Sequence, residues 1–218
     1  MRWVTPVANG IAVVETRAPA DFMTDTVNLI SSRADRVLAT HRFKPTMRAV
    51  PMGEPPVSLR AETLMSLAGS EQILAARLAD GRVRLLDASN SLKARYEKKF
   101  KDLGVVALSG QALYAYLTSG TLQAYDVSNA GSPALLWSRR IPKVPDPKGI
   151  VIDGERIIVH GEGLTEVWTN NTHPPTYFRV LHRWTTLERV IVNGDMIYAY
   201  NNGGTVCKLM TLRLVRPR

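Results

Sequence analysis

VVALSGQALYAYLTSGTLQAYDVSNAGSPALLWSRR, residues 105–140, holds three short runs rich in β-branched and aromatic residues, separated by Ser109-Gly110 and Ser119-Gly120. A Ser-Gly pair between alternating apolar runs reverses the chain, because tight hairpin turns need a positive φ that glycine adopts without strain. Ten residues separate Gly110 from Gly120, which leaves about six for the strand between them. The stretch reads as a β-meander, with a fourth strand predicted over ALLWSRRI, residues 134–141.

The same restart recurs in both directions: VTPVANGIAVV (4–14), LMSLAGSEQILAA (64–76), GIVIDGERIIVH (149–160) and RVIVNGDMIYAY (189–200). The five turn glycines are Gly10, Gly69, Gly110, Gly154 and Gly194, spaced by 59, 41, 44 and 40 residues. The last three spacings match the roughly 40–50 residues of a four-stranded propeller blade. Second-turn glycines follow at Gly81, Gly120, Gly163 and Gly204, predicting hairpins at ADG, TSG, EG and NGG. The expected fold is all-β: a small β-propeller of about five four-stranded blades, forming one domain over residues 1–218. The chain starts on an innermost strand and ends on an outer one, so no blade is shared between the termini. The alternative is an open or partial propeller completed by a partner.

Outer strands are predicted over LKARYEKKF (92–100), ALLWSRRI (134–141), YFRVLHRW (177–184) and TLRLVRPR (211–218). They are more basic than the inner strands, and charge on an exposed edge discourages edge-to-edge association. Lys93, Arg95, Lys98, Lys99 and Lys101 therefore read either as a guarded edge or as a basic docking patch around Tyr96 and Phe100. With Arg139, Arg140, Arg179 and Arg183 on the later outer strands, these cations and Tyr96 are the candidate partner-binding residues. The first repeat departs from the pattern. It lacks the second glycine, turns through APADFMTD (18–25), and is followed by a proline-rich insertion over 44–60 carrying Pro45, Pro51, Pro55 and Pro56. A second proline-rich segment, IPKVPDPKG (141–149), joins repeats three and four. Such extended segments serve as ligands or as straps across a partner.

Asp126, Val127, Ser128, Asn129 and Pro133 make the third repeat resemble the LVIVD-type propeller repeat, in which a strand ending in aspartate runs into Val-Ser, a small loop and proline. Asp87, Ser89 and Asn90 of the second repeat stand in register with them. Aspartate followed by serine and asparagine can close its own backbone turn. The likeness covers about 60 residues and implies a propeller blade of WD40-like type, although no Trp-Asp or Gly-His signature is present.

Composition bounds the partners. The net charge is +9, and arginine supplies 20 of the 28 basic residues. Arginine forks pair with carboxylates and phosphates, so the surface is suited to acidic proteins, RNA or anionic lipid head groups. A compositional bias of the source would produce the same excess. Cys207 is the single cysteine; it reads as a small buried apolar residue and favours a reducing, intracellular compartment. MRWVTPVANGIAVVETR shows no apolar signal region, and no run approaches the length of a membrane helix. Asn170-Asn171-Thr172 is a glycosylation sequon, of consequence only after secretion.

The search for chemistry is short. His41, His160, His173 and His182 lack the close spacing of a metal pair, Gly161-Glu162-Gly163 lacks the rest of a dinucleotide fingerprint, and no nucleophile elbow occurs. No catalytic, cofactor or metal residues are assigned. Asp153, Glu155 and Asp195, beside inner-strand turns, are the acidic residues through which a propeller enzyme would hold a channel cation. The leading expectation is a non-catalytic interaction scaffold, a subunit of a larger protein assembly. The alternative is an RNA-contacting component of a ribonucleoprotein.

Overall fold

Glycine-marked restarts become hairpins in the computed structural model, which describes residues 4–7, 10–17, 24–34, 36–43, 62–89, 91–168, 174–175, 177–194, 196–203 and 206–213. Five antiparallel sheets follow one another along the chain, and no helix occurs among the described residues. The first holds β1 (Val4–Val7), β2 (Gly10–Arg17), β3 (Thr24–Ser31) and β4 (Val37–Arg42) in sequence order. The second holds β5 (Leu64–Ser70), β6 (Ile73–Leu78), β7 (Arg82–Asp87) and β8 (Ala94–Lys99). The third holds β9 (Leu103–Ser109), β10 (Ala112–Leu117), β11 (Thr121–Asp126) and β12 (Ala134–Arg140). Three strands make the fourth, β13 (Gly149–Asp153), β14 (Arg156–Trp168) and β15 (Tyr177–Thr186), and three the fifth, β16 (Arg189–Asn193), β17 (Met196–Gly203) and β18 (Val206–Arg213). The proline-rich insertion at 44–60 lies outside the described residues.

Gly110, Gly154 and Gly194 occupy their turns with φ between 54° and 58°. Gly69 does not. It lies inside β5, two residues before a turn made by Glu71 and Gln72, and its role is close approach. A Cβ there would stand 2.6 Å from Thr5 Oγ1 and 2.8 Å from the Pro6 carbonyl oxygen of β1.

Two of the predicted hairpin and strand divisions are corrected. The EG pair of repeat four makes no reversal, because β14 runs unbroken through Gly161 and Gly163. Its first half pairs with β13 and its second half with β15. In repeat five, Thr211, Leu212 and Arg213 continue β18 rather than begin a separate fourth strand, and the rest of that predicted strand, 214–218, lies outside the described residues. Among the described residues both sheets therefore have three strands where four were expected.

Outer strands share a feature that periodicity does not show. Leu29 faces Ala39 while Ile30 faces Val37, leaving Leu38 as an extra residue. The same count leaves Arg95 in β8, Leu136 in β12 and Leu181 in β15. Each is a β-bulge, which sharpens local twist and re-aims a side chain.

The chain forms two compact bodies. In the first, Met1–Lys101 with Leu108–Gln111 and Val127–Pro133, the core gathers Val14, Val27, Leu29, Phe43, Leu64, Leu74, Leu78 and Leu86. Buried Asp25 ties its first sheet to its second, since its Oδ2 accepts the Leu64 N–H at 2.9 Å. In the second body, Tyr114, Tyr116, Leu122, Trp137, Ile157 and Val167 form one cluster; Ile158, Leu164, Leu187 and Ile197 belong to another.

The proline-rich segment after β12 belongs to this second core. Ile141 and Val144 are buried in the cluster of Tyr114 and Trp137. The Val144 N–H donates to Tyr116 Oη at 2.8 Å, Lys148 N–H to the His160 carbonyl and Glu162 N–H to the Pro145 carbonyl, both at 2.8 Å. It is thus a strap on its own body. Tyr116→Phe removes the buried acceptor and is expected to cost about 1–2 kcal/mol in chemical denaturation; an unchanged midpoint would show that the strap is held by its other bonds.

His160 is buried beneath the strap. Its Nδ1 lies 2.8 Å from the Leu187 carbonyl, an acceptor, so Nδ1 carries the proton and donates. Burial holds its pKa below the ordinary 6.5, against the opposing pull of the Leu187 carbonyl and Glu188. His41, edge-on to Phe43 at 4.9 Å, is lowered by burial and then by Arg84. A histidine with a depressed folded pKa binds its proton more readily when unfolded. Stability contributed by both is complete above pH 6.5 and is expected to fall as the pH drops below it. Urea midpoints measured across that range check this, and His160→Gln should flatten the fall.

Candidate interaction surface

β8 is the edge of the second sheet, and its cations do not stand as a bare patch. The Arg95 bulge aims its guanidinium at Asp87, with Nη2 at 2.6 Å from Oδ2. Asp87 also accepts the backbone N–H of Ser89 at 2.9 Å and the Ser89 hydroxyl, which is the self-closed turn expected of Asp-x-Ser. The Ser89 hydroxyl and then Arg95 hold the Asp87 carboxyl below its usual range. Glu97 receives Arg82 at 2.9 Å and Arg84 at 2.7 Å, and Arg84 also meets Glu62 at 3.1 Å. Burial works against the Glu97 charge, and the two arginines outweigh it, keeping its pKa lowered.

Lys98 places Nζ 5.3 Å from the centroid of the buried Phe100 ring. Tyr96 is half-buried opposite Leu85. Lys93, Lys99 and Lys101 are exposed, with no ion pair among the described residues. Across residues 80–101 and Glu62, seven cations face four carboxylates, a net charge of +3. Most of this edge is a charge lattice, and three lysines project from it.

β12 is the edge of the third sheet. Arg139 and Arg140 pair in register with Leu122 and Thr121, and both side chains are exposed with no ion pair among the described residues. In the fourth sheet, Arg179 has a different role: its Nε lies 2.5 Å from Oε2 of Glu166, which is fully buried. Arg183 faces Gly163 in register, and its side chain lies outside the described residues.

Sequence reasoning missed Arg156. Nine-tenths buried, it donates Nη2 to the Gly194 carbonyl at 2.6 Å and to Asp153, and its guanidinium lies 5.7 Å from the Trp168 ring. Asp153, Gly154, Glu155, Arg156 and Trp168 line an open cleft of about 290 Å³. Of the three candidate cation ligands, Asp153 is thus engaged by Arg156, Glu155 is exposed and Asp195 lies outside the described residues. No group of three or more metal-ligating side chains occurs among the described residues. A lone arginine after a turn glycine carries no sequence signal that would have marked it.

No protein-family model and no curated protein matches the chain. Solved structures do match. BamB from Moraxella catarrhalis superposes with a TM-score of 0.59 at 15% identity, over 97% of this chain and 57% of that one. A chain of the Mitotic Checkpoint Complex gives 0.57 at 14%, over 91% and 56%. The computationally designed Ika4 protein gives 0.56 at 12%, over 75% of this chain and all of that one. The chain therefore spans little more than half the length of the two natural structures. These likenesses, with the repeated antiparallel sheets, define a β-propeller-like repeat fold built of open sheets. No helix is long and apolar enough to cross a membrane among the described residues.

Proposed function

We propose that this chain is a non-catalytic protein-interaction scaffold, a structural subunit of a larger assembly that binds acidic protein surfaces through its sheet edges. The observation that carries it is that five of the candidate cations stay exposed at two sheet edges with no ion pair among the described residues: Lys93, Lys99 and Lys101 around β8, and Arg139 and Arg140 on β12. Cations already paired in the folded chain gain little from a partner, whereas exposed ones steer an acidic surface and set its register. The likeness to a chain of the Mitotic Checkpoint Complex, a protein of a multi-subunit assembly by its name, supports the same reading. Residues 1–218 act as a single repeat-built domain in this proposal.

The test is recovery of native complexes. The wild-type chain and a variant carrying glutamate at all five positions are expressed in the source cells, crosslinked mildly and sized. Wild type is expected in an assembly and the variant as free chain. A wild-type chain that runs free throughout contradicts the scaffold. A parallel titration against single-stranded RNA at about 50 mM salt, where phosphate contacts are strongest, reads out the ribonucleoprotein alternative.

A further inference from the structure

A sheet edge offers a row of unpaired N–H and C=O groups, and proteins blunt such edges with charge. β8 is blunted, for Arg95, Glu97, Lys98 and Lys99 fill four of its six positions. β12 is not. Its first five residues, ALLWS, carry no charge. Ala134, Leu135 and Ser138 are exposed, Leu135 at 54%. No strand among the described residues pairs with the outer side of β12.

Its inner side is fixed. β12 pairs with β11 along its length, and Trp137 is buried with its ring 6.2 Å from Tyr114. The Ile141 N–H donates to the Gly120 carbonyl at 3.0 Å. Amides alternate in direction along an antiparallel strand, so Trp137 and Arg139 turn theirs toward β11 while Ser138 and Arg140 turn theirs outward. Past the bulge at Leu136, residues 137–140 keep a regular register with β11 and end in two exposed arginines.

The geometry points to β12 as a strand-addition site for an extended segment of a partner protein that carries an apolar residue and, three to four positions away, a pair of acidic residues. This rests on the scaffold reading and names the place and mode of docking. Backbone bonds to the outward groups of Ser138 and Arg140 supply affinity, and side chains set the register. Leu135 and Arg139 face Tyr125 and Leu122, three ladder positions apart because Leu136 is bulged out, about 10 Å along the strand. The acidic pair must therefore stand the same distance from the apolar residue that packs on Leu135.

The full chain is the bait for a displayed library of short random peptides. Selected peptides are expected to alternate apolar and polar residues and to end in an acidic pair. A selected peptide should slow amide exchange at Ser138 and Arg140. Its Kd should rise at least about tenfold, roughly 1.4 kcal/mol, in Leu135→Lys and in Arg139→Glu/Arg140→Glu. Arg33→Glu, exposed on the turn after β3 and outside the binding set, should leave it unchanged. Thermal melts identify any variant that fails to fold, and the exchange pattern of wild type stands independently of the variants. Selection without a shared acidic motif, protection elsewhere than β12, or binding that survives both β12 variants overturns the site; so does an RNA that alone protects this edge. Native complexes that persist with Arg139→Glu/Arg140→Glu would count against the site while leaving the scaffold intact. Peptide binding without any native complex would count against the scaffold alone.

Discussion

Arg179→Met is expected to lower stability by about 3 kcal/mol, because it strips a buried carboxylate of its counterion; breaking a buried pair from one side costs about 3–5 kcal/mol. Glu166 is fully buried on β14, and the Arg179 side chain is 29% exposed, which places the effect at the low end. Urea denaturation reads it as a lower midpoint with an unchanged slope. Adding Glu166→Gln removes the stranded charge and should recover most of the loss. If Arg179→Met melts like wild type while partner binding weakens, Arg179 belongs to the docking surface and the ion pair is incidental.

Gly161→Ala is expected to cost about 3 kcal/mol or more, at or beyond the upper end of ordinary overpacking. Its Cβ would overlap the Asp146 carbonyl oxygen and lie 2.7 Å from Pro147 Cα and 2.8 Å from the Pro145 carbonyl oxygen. These are backbone atoms of the strap. They cannot yield without breaking the Tyr116, His160 and Glu162 hydrogen bonds that hold it. Gly154→Ala is the contrast. Gly154 has a left-handed φ of 58° and open space around its Cβ position, so that change carries the backbone term alone, about 1–2 kcal/mol. Equal losses at the two glycines would show that the strap is free to shift.

These two glycines also show how far the sequence could be read. A glycine needed for a turn and a glycine needed for close approach look alike, because both require the missing Cβ and neither records why. Gly110, Gly154 and Gly194 were legible as turns, since the flanking alternation left no other place to reverse. Gly161 and Gly163 resembled them, and the strap that crosses β14 between residues 145 and 148 is brought there by tertiary packing. The meanders of the second and third sheets, with their outer strands β8 and β12, were legible for the same local reason, and the Asp87–Ser89 turn followed from chemistry within three residues.

The candidate surface was legible as composition, and less so as pairing. Which cations stay exposed depends on cross-strand register, and a shift of one residue moves every side chain to the other face. Arg82 and Arg84 lie outside the basic run yet neutralise Glu97. Arg179 looked like its neighbours on other outer strands, and only the burial of Glu166 across the ladder sets it apart. Lys99, Arg139 and Arg140 kept their exposure.

The extra residue in each outer strand has no partner across the ladder, so its identity is uncoupled from the pairing of its repeat. Three repeats place leucine there, and the second places Arg95, which reaches Asp87. A repeat protein diverges most cheaply where a substitution leaves its neighbours' fit untouched. Leu38, Leu136 and Leu181 meet that condition on the ladder and fail it in the core, against which all three pack half-buried, so of the four bulges it is Arg95 that turns this freedom into surface chemistry.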